Sequence, residues 1–302
     1  MSVEVRQAHP LFAAHVTGIS LEEPPSAETV RLVEELMARY AVIAIRGSRT
    51  DDAQQLAFAR AFGPLELPPD LGLKSDSSPH RRIAFGLYDV SNLDAEGNLL
   101  PAESVRRGYS KGNELFHSDS SFNTLPSKWS LLHARIVPPV GGDTEFVDMR
   151  AVYDALGDDM KQRLEGLHAE HSYWHSRRKA GFDAVSREME AALPGAVHPI
   201  VRTSANGRKS LFIGAHAARI VEMDEAEGRA LLDELFEFAT RPKFVYAHKW
   251  EAGDLVIWDN RCTLHRGTAF DSLTYKRDMR RATINEYGPE ISSTQLLETA
   301  QA

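Results

Sequence analysis

Asn113-Glu114-Leu115-Phe116-His117-Ser118-Asp119-Ser120-Ser121 is the stretch on which the reading of this chain turns. Side chains of an extended segment alternate between faces, so His117 and Asp119 point to the same side. One imidazole and one carboxylate on one face are two parts of a 2-His-1-carboxylate metal triad. The third part is offered far downstream, by His265 in Trp258-Asp259-Asn260-Arg261-Cys262-Thr263-Leu264-His265-Arg266-Gly267. Three protein ligands on one side of a metal leave positions open for a bidentate co-substrate and dioxygen together. Zinc hydrolases also use two histidines and a carboxylate around an open site, so these ligands alone do not name the metal.

The basic residues beyond His265 bear on that choice. Arg277 and Arg281 stand four apart in Lys276-Arg277-Asp278-Met279-Arg280-Arg281-Ala282-Thr283. On a strand, positions i and i+4 share a face about 13 Å apart. Two inward guanidiniums at that separation can each clamp a different carboxylate. That suits an enzyme binding one dicarboxylate co-substrate and one anionic substrate.

Working outward, the chain reads as many short strands with helices at the periphery. Short strands are predicted within Phe12–Ile19, at Ala41–Ile45, over Trp129–Val137 and at Asp143–Val147. Others are predicted at His198–Thr203 and Lys209–Ile213 around an Asn206-Gly207 turn, at Phe244–Tyr246, at Leu255–Trp258 and over Met279–Ile284. Helices are predicted at 27–39 with Ser26 as N-cap and at 52–62 capped by Thr50 or Asp51. Three more are predicted at 149–156, at 158–167 capped by Asp158, and at 224–239. Residues 168–195, rich in His, Arg and Glu, are expected to be exposed helix and loop. This pattern argues for a β-sandwich or barrel core. Residues 64–112, broken by Pro64, Pro68, Pro69, Gly72, Pro79, Gly97 and Pro101, are too long for an idle connection. The part from 66 to 112 is expected to cover a substrate, within one domain spanning 1–302.

The 302 residues carry a net charge of −8, with acidic and basic residues mixed throughout. The pairs Arg106-Arg107, Arg177-Arg178 and Arg280-Arg281 are scattered, which argues against nucleic-acid binding. Cys262 is the single cysteine, so no disulfide can form within the chain. The start lacks the apolar core of a signal peptide, and no run approaches the roughly 18 apolar residues of a membrane span. A cytoplasmic protein acting on a small anionic molecule is the expectation, and assembly into a homo-oligomer stays open. His133, His168, His171, His175 and His248 lack partners at ligand spacing and are expected to be core or surface residues. The role of His198 is left open.

His117-Ser118-Asp119, the Gly141-Gly142-Asp143-Thr144 turn, Trp258-Asp259-Asn260-Arg261 before His265, and Arg277 with Arg281 together resemble the taurine dioxygenase family. Its members are Fe(II)- and 2-oxoglutarate-dependent dioxygenases. The resemblance runs from about residue 10 to 285. Val137 through Arg150 and Leu211 through Ala217 are most similar to its members that act on aryloxyalkanoates. It implies a mainly β fold, a double-stranded β-helix or jelly roll with peripheral helices. It also implies that His117, Asp119 and His265 bind iron and that Thr144 and Arg277 hold the distal carboxylate of 2-oxoglutarate. Arg281 would pair with the substrate's anionic group, and Asn113 and His216 would line the substrate pocket. The implied reaction hydroxylates an aryloxyalkanoate-like acid, cleaves its ether, and forms succinate and CO2 from 2-oxoglutarate and O2. A sulfonate, an alkyl sulfate or another carboxylate is the alternative substrate. A non-catalytic jelly-roll protein that binds a small acid is the alternative function. Two departures stand out: the His265-to-Arg277 spacing is one residue longer than in the aryloxyalkanoate branch, and residues 66–112 do not resemble that branch's cover.

Overall fold

The structure is a computed structural model and describes residues 2–68, 82–183 and 185–292. The chain opens with β1 (Glu4–Gln7), β2 (Ala14–Thr17), α1 (Ala27–Tyr40), β3 (Val42–Ile45), α2 (Asp52–Arg60), β4 (Glu66–Leu67), β5 (Tyr88–Asp89) and α3 (Val105–Ser110). A 3-10 turn at Lys111–Glu114 leads into the histidine stretch, followed by β6 (Trp129–Ile136), β7 (Thr144–Asp148), α4 (Met149–Asp154) and α5 (Asp158–Arg163). Next come β8 (His168–His171), α6 (Tyr173–Lys179), α7 (Arg187–Ala192), β9 (Ala196–Pro199), β10 (Val201–Thr203), β11 (Lys209–Leu211), β12 (Ala217–Ile220) and α8 (Glu225–Ala239). The rest is β13 (Val245–His248), β14 (Leu255–Asp259), β15 (Thr263–Gly267), β16 (Asp278–Ile284) and β17 (Ile291–Ser292).

The strands form a double-stranded β-helix core. Seven make one sheet in the order β1-β2-β3-β14-β6-β16-β5, and β13-β7-β15 and β12-β8-β9 form the opposing layer. Alternation along the large sheet explains why its strands look apolar throughout. Ile43, Ile45, Leu131, Leu255, Ile257, Ala282 and Ile284 pack with Val33, Met37 and Phe58 of α1 and α2. Their neighbours Val42, Ala44, Leu132, Ala134, Val256 and Trp258 face Phe146 of β7 and Tyr246 of β13. A strand covered on both faces has no polar side to show. A second core, under α4 and α8, joins Val147, Leu211, Ile213, Leu231, Leu232, Leu235 and Leu264.

The helix ends follow local chemistry. Ser26 Oγ accepts the Thr29 amide at 3.1 Å, and α1 stops at Ala41, whose φ is 58°. Asp51 and Gln54 exchange side chain-to-amide hydrogen bonds, each 2.8 Å, at the start of α2. Arg150, paired with Asp148 at 2.9 Å, donates to the Ala38 carbonyl at the end of α1 at 2.8 Å.

Three expectations are corrected. α5 begins after Gly157, with no side-chain cap, so Asp158 lies inside it. The segment 168–195 is not chiefly surface: β8 is the middle strand of its sheet, and Ala169, His171, Trp174 and Arg177 are buried. Histidine and arginine at buried positions masked the period there. His198 and Pro199 belong to β9 against β8, while the Asn206-Gly207 hairpin joins β10 to β11. Of the anticipated cover, residues 69–81 lie outside the described residues. Its described part is tied down: the Val90 amide donates to Met279 O, and Asn92 Nδ2 donates to Ser272 O and Tyr275 O. No helix among the described residues is long and apolar enough to cross a membrane.

Candidate metal centre and its surroundings

His117 and His265 are brought together by backbone. Each donates its amide to the other's carbonyl, at 3.0 and 2.8 Å, in an isolated antiparallel bridge. The ring centroids then stand 4.3 Å apart. His117 Nδ1 lies 2.7 Å from the Leu115 carbonyl oxygen, which can only accept. The proton therefore sits on Nδ1, and the Nε2 lone pair is left facing Asp119. Nε2 of His117 and Nε2 of His265 each lie 3.8 Å from an Asp119 oxygen. That is too long for a hydrogen bond, and one potential ligand atom from each of the three residues lies within 4.8 Å of the others.

Electrostatics suit a cation in that gap. Burial holds both imidazoles below their usual range, against the opposing pull of Asp119, so both are neutral donors. Burial also raises Asp119, but the Arg281 charge, helped by the Ser130 hydrogen bond, outweighs it, and the carboxyl stays far below the usual carboxylate range. Two neutral imidazoles and one ionised carboxylate are the donor set of a divalent metal. The residues fit an iron ion.

Asp119 is clamped on all sides. Arg281 Nη1 donates to Oδ1 at 2.5 Å and Ser130 Oγ to Oδ2 at 2.7 Å. Asn260 Nδ2 donates to Ser130 Oγ at 2.9 Å, and Asn260 Oδ1 accepts from Trp258 Nε1 at 2.8 Å. Arg281 stacks over Tyr88, its cross-strand partner on β5, with the guanidinium carbon 4.6 Å from the ring centroid. Tyr88 and Ser120 both donate to Glu66, whose carboxyl burial pushes upward.

Thr144 pairs with Gly267, two residues beyond His265 on β15. Trp250 Nε1 donates to Thr144 Oγ1 at 3.0 Å. Behind Trp250, a hydrogen-bonded chain runs His15, Tyr246, His248 and Asp254, and Arg46 closes it at 2.5 Å from Asp254. Arg277 passes beside Gly142, whose φ of 71° and crowding against Pro138 leave no room for a side chain. Among the described residues its guanidinium reaches only the Val90 carbonyl, at 3.4 Å. Burial lowers its pKa to about 10, with Asp143 opposing.

Asn113 and His216 stand on the other flank. Asn113 Oδ1 accepts from Arg177 Nη2 at 3.2 Å. The His216 ring lies edge-on to His117 at 5.7 Å and meets Phe122 and Tyr173 at 5.2 and 5.9 Å. His198 is placed elsewhere, with Nε2 2.9 Å from the Asn123 carbonyl oxygen. Cys262 is buried, and burial pushes its thiol well up, so it is an inert small side chain. Sequence reasoning did not single out Ser130, Glu66, Tyr88, Arg177 or Trp250. Asn260 was quoted in its segment without a role.

Residues 4–283 match the family described as taurine catabolism dioxygenase TauD, TfdA family. The chain is 46% identical over 284 residues to an alpha-ketoglutarate-dependent 2,4-dichlorophenoxyacetate dioxygenase of Burkholderia sp. (strain RASC), covering 94% of each chain. It is 37% identical to the (S)-phenoxypropionate/alpha-ketoglutarate-dioxygenase of Sphingobium herbicidovorans, covering 90% of this chain and 91% of that one. The crystal structure of AAD-2 in complex with Mn(II) and N-oxalylglycine superposes with a TM-score of 0.86 at 43% identity, covering 96% of this chain and 99% of that one.

Proposed function

The chain belongs to the TauD/TfdA family of dioxygenases, and on that footing we propose that it oxidises an aryloxyalkanoate-like acid at the carbon bearing the ether oxygen. It is a 2-oxoglutarate-dependent dioxygenase that uses Fe(II) and O2. A zinc hydrolase and a non-catalytic binding protein are thereby set aside. The observation that carries the assignment of residues is the meeting of His117, Asp119 and His265, all buried, within 4.8 Å.

His117, Asp119 and His265 would hold the iron. When bound, Fe(II) supplies O2 activation coupled to decarboxylation of 2-oxoglutarate to succinate and CO2. The chain's own residues bind, orient and shield. Arg277, with no carboxylate partner of its own among the described residues, and Thr144, its hydroxyl held by Trp250, receive the distal carboxylate of 2-oxoglutarate. Arg281 keeps Asp119 ionised through Nη1 and turns the rest of its guanidinium to the substrate's anionic group. Asn113 and His216 line the pocket for the substrate body. Of the expected cover 66–112, the described residues 82–112 would form part, within one dioxygenase domain. Hydroxylation next to the ether oxygen gives a hemiacetal, which collapses to a phenol and an oxo acid.

The test is succinate formation by Fe(II)-loaded protein across aryloxyacetates, aryloxypropionates, taurine and alkyl sulfates. One succinate per phenol released from an aryloxyalkanoate is the expected result, and His117→Ala should abolish both products. Coupled turnover of taurine or an alkyl sulfate alone would move the substrate class.

A further inference from the structure

Arg177, on α6, is 5% exposed, and its charge has no carboxylate partner among the described residues. Arg150, equally buried at 6%, carries Asp148 at 2.9 Å. The Arg177 guanidinium is held by neutral groups instead. Nη1 donates to the Tyr109 carbonyl at 3.0 Å and Nη2 to Asn113 Oδ1 at 3.2 Å, while the buried Nε has no partner among the described residues. The Tyr173 and Tyr109 rings, their centroids 5.9 Å apart, both lie against it, at 4.5 and 4.9 Å. The Gly112 backbone presses so close that a Cβ there would overlap Nη1. Tyr173 in turn stacks on His216 at 5.9 Å, and His216 meets His117 at 5.7 Å, so Arg177 lies on the His216 side of the metal centre.

A buried cation without a counter-ion is costly, and one clamped in place is ready for an anion that arrives from outside. We propose that Arg177 is a second receptor for the substrate's carboxylate, fixed by Asn113 and the two tyrosines. Arg281 has already committed one nitrogen to Asp119. The charge of Arg281 is thus shared with a carboxylate, whereas that of Arg177 is not among the described residues, so the substrate carboxylate is drawn toward the α6 side of the pocket. The inference rests on the reading of the substrate as an organic anion.

The experiment uses full-length Fe(II)-loaded protein with 2,4-dichlorophenoxyacetate and its neutral amide. Arg177→Gln should raise KM for the acid about 100-fold, leave KM for the amide and for 2-oxoglutarate within about twofold, and uncouple succinate from phenol. Arg177→Lys should recover part of the loss, and Gly112→Ala, which displaces the guanidinium but keeps its charge, should reproduce part of it. Equal losses on acid and amide, or an unchanged KM for the acid, would overturn the proposal, with Fe(II) uptake and thermal melting showing that each variant is folded. Failure of the substrate class shows in the unmodified protein instead, as no turnover of the acid. The same acid-and-amide comparison is then run on whichever panel acid is turned over. Turnover of neutral compounds alone would overturn both readings.

Discussion

Asp119 is positioned before any metal arrives, because Arg281 and Ser130 take one oxygen each and Asn260 braces Ser130. Groups that orient a metal ligand are worth about 10- to 100-fold in metal affinity or activity. Ser130→Ala should therefore weaken Fe(II) binding by about that factor, measured by titration under nitrogen, with little change in melting temperature. Equal affinity would mean that Arg281 alone fixes the carboxylate. At this scale the ligands were legible because His-x-Asp has a geometric meaning on an extended chain. Ser130 was not, since a serine inside Trp129-Ser-Leu-Leu reads as a minor interruption of an apolar strand. Arg177 escaped for a related reason: the pair Arg177-Arg178 looks like a solvated helix face, and only the fold shows that the first is buried and the second exposed.

Strands carry the site, and their alternation sets what each substitution should cost. Ile257, central in β14 and fully buried, faces α1 and α2, so truncation leaves a cavity in the larger core. Ile257→Ala should cost about 2–5 kcal/mol and Ile257→Val about 0.5–1.5, read from urea midpoints at unchanged slope. A loss below about 1 kcal/mol for the alanine variant would show that the helices close over the gap. Helices with capped ends, α1 and α2, were legible almost to the residue because Ser26 and the Asp51–Gln54 box are local signals. The buried strand β8 was not, since its inward residues include His171, which a hydropathy pattern counts as polar. Sheet order is likewise non-local: nothing in residues 42–45 announces that they will pair with 255–258.

Across the whole molecule, buried histidines couple the fold to pH. Burial lowers His171 to about 3, with His198 adding to the effect, and lowers His133 to about 4. In the unfolded chain both titrate near 6.5. Between the two values the unfolded state takes up protons that the folded state refuses, so stability is full above about pH 6.5 and falls as pH drops toward 4. Each such histidine costs about 1.4 kcal/mol per pH unit in that window. Melting of the metal-free protein should fall steeply from pH 6.5 to 5, and His133→Gln should flatten the slope; a flat profile in the unmodified protein would refute the account. The sealed thiol of Cys262 has a practical consequence at the same scale. The chain is already a clean background for site-directed labelling. A single cysteine placed on the outer side of α3 would carry a spin or fluorescent probe alone, and its signal would report whether that helix moves as substrate enters.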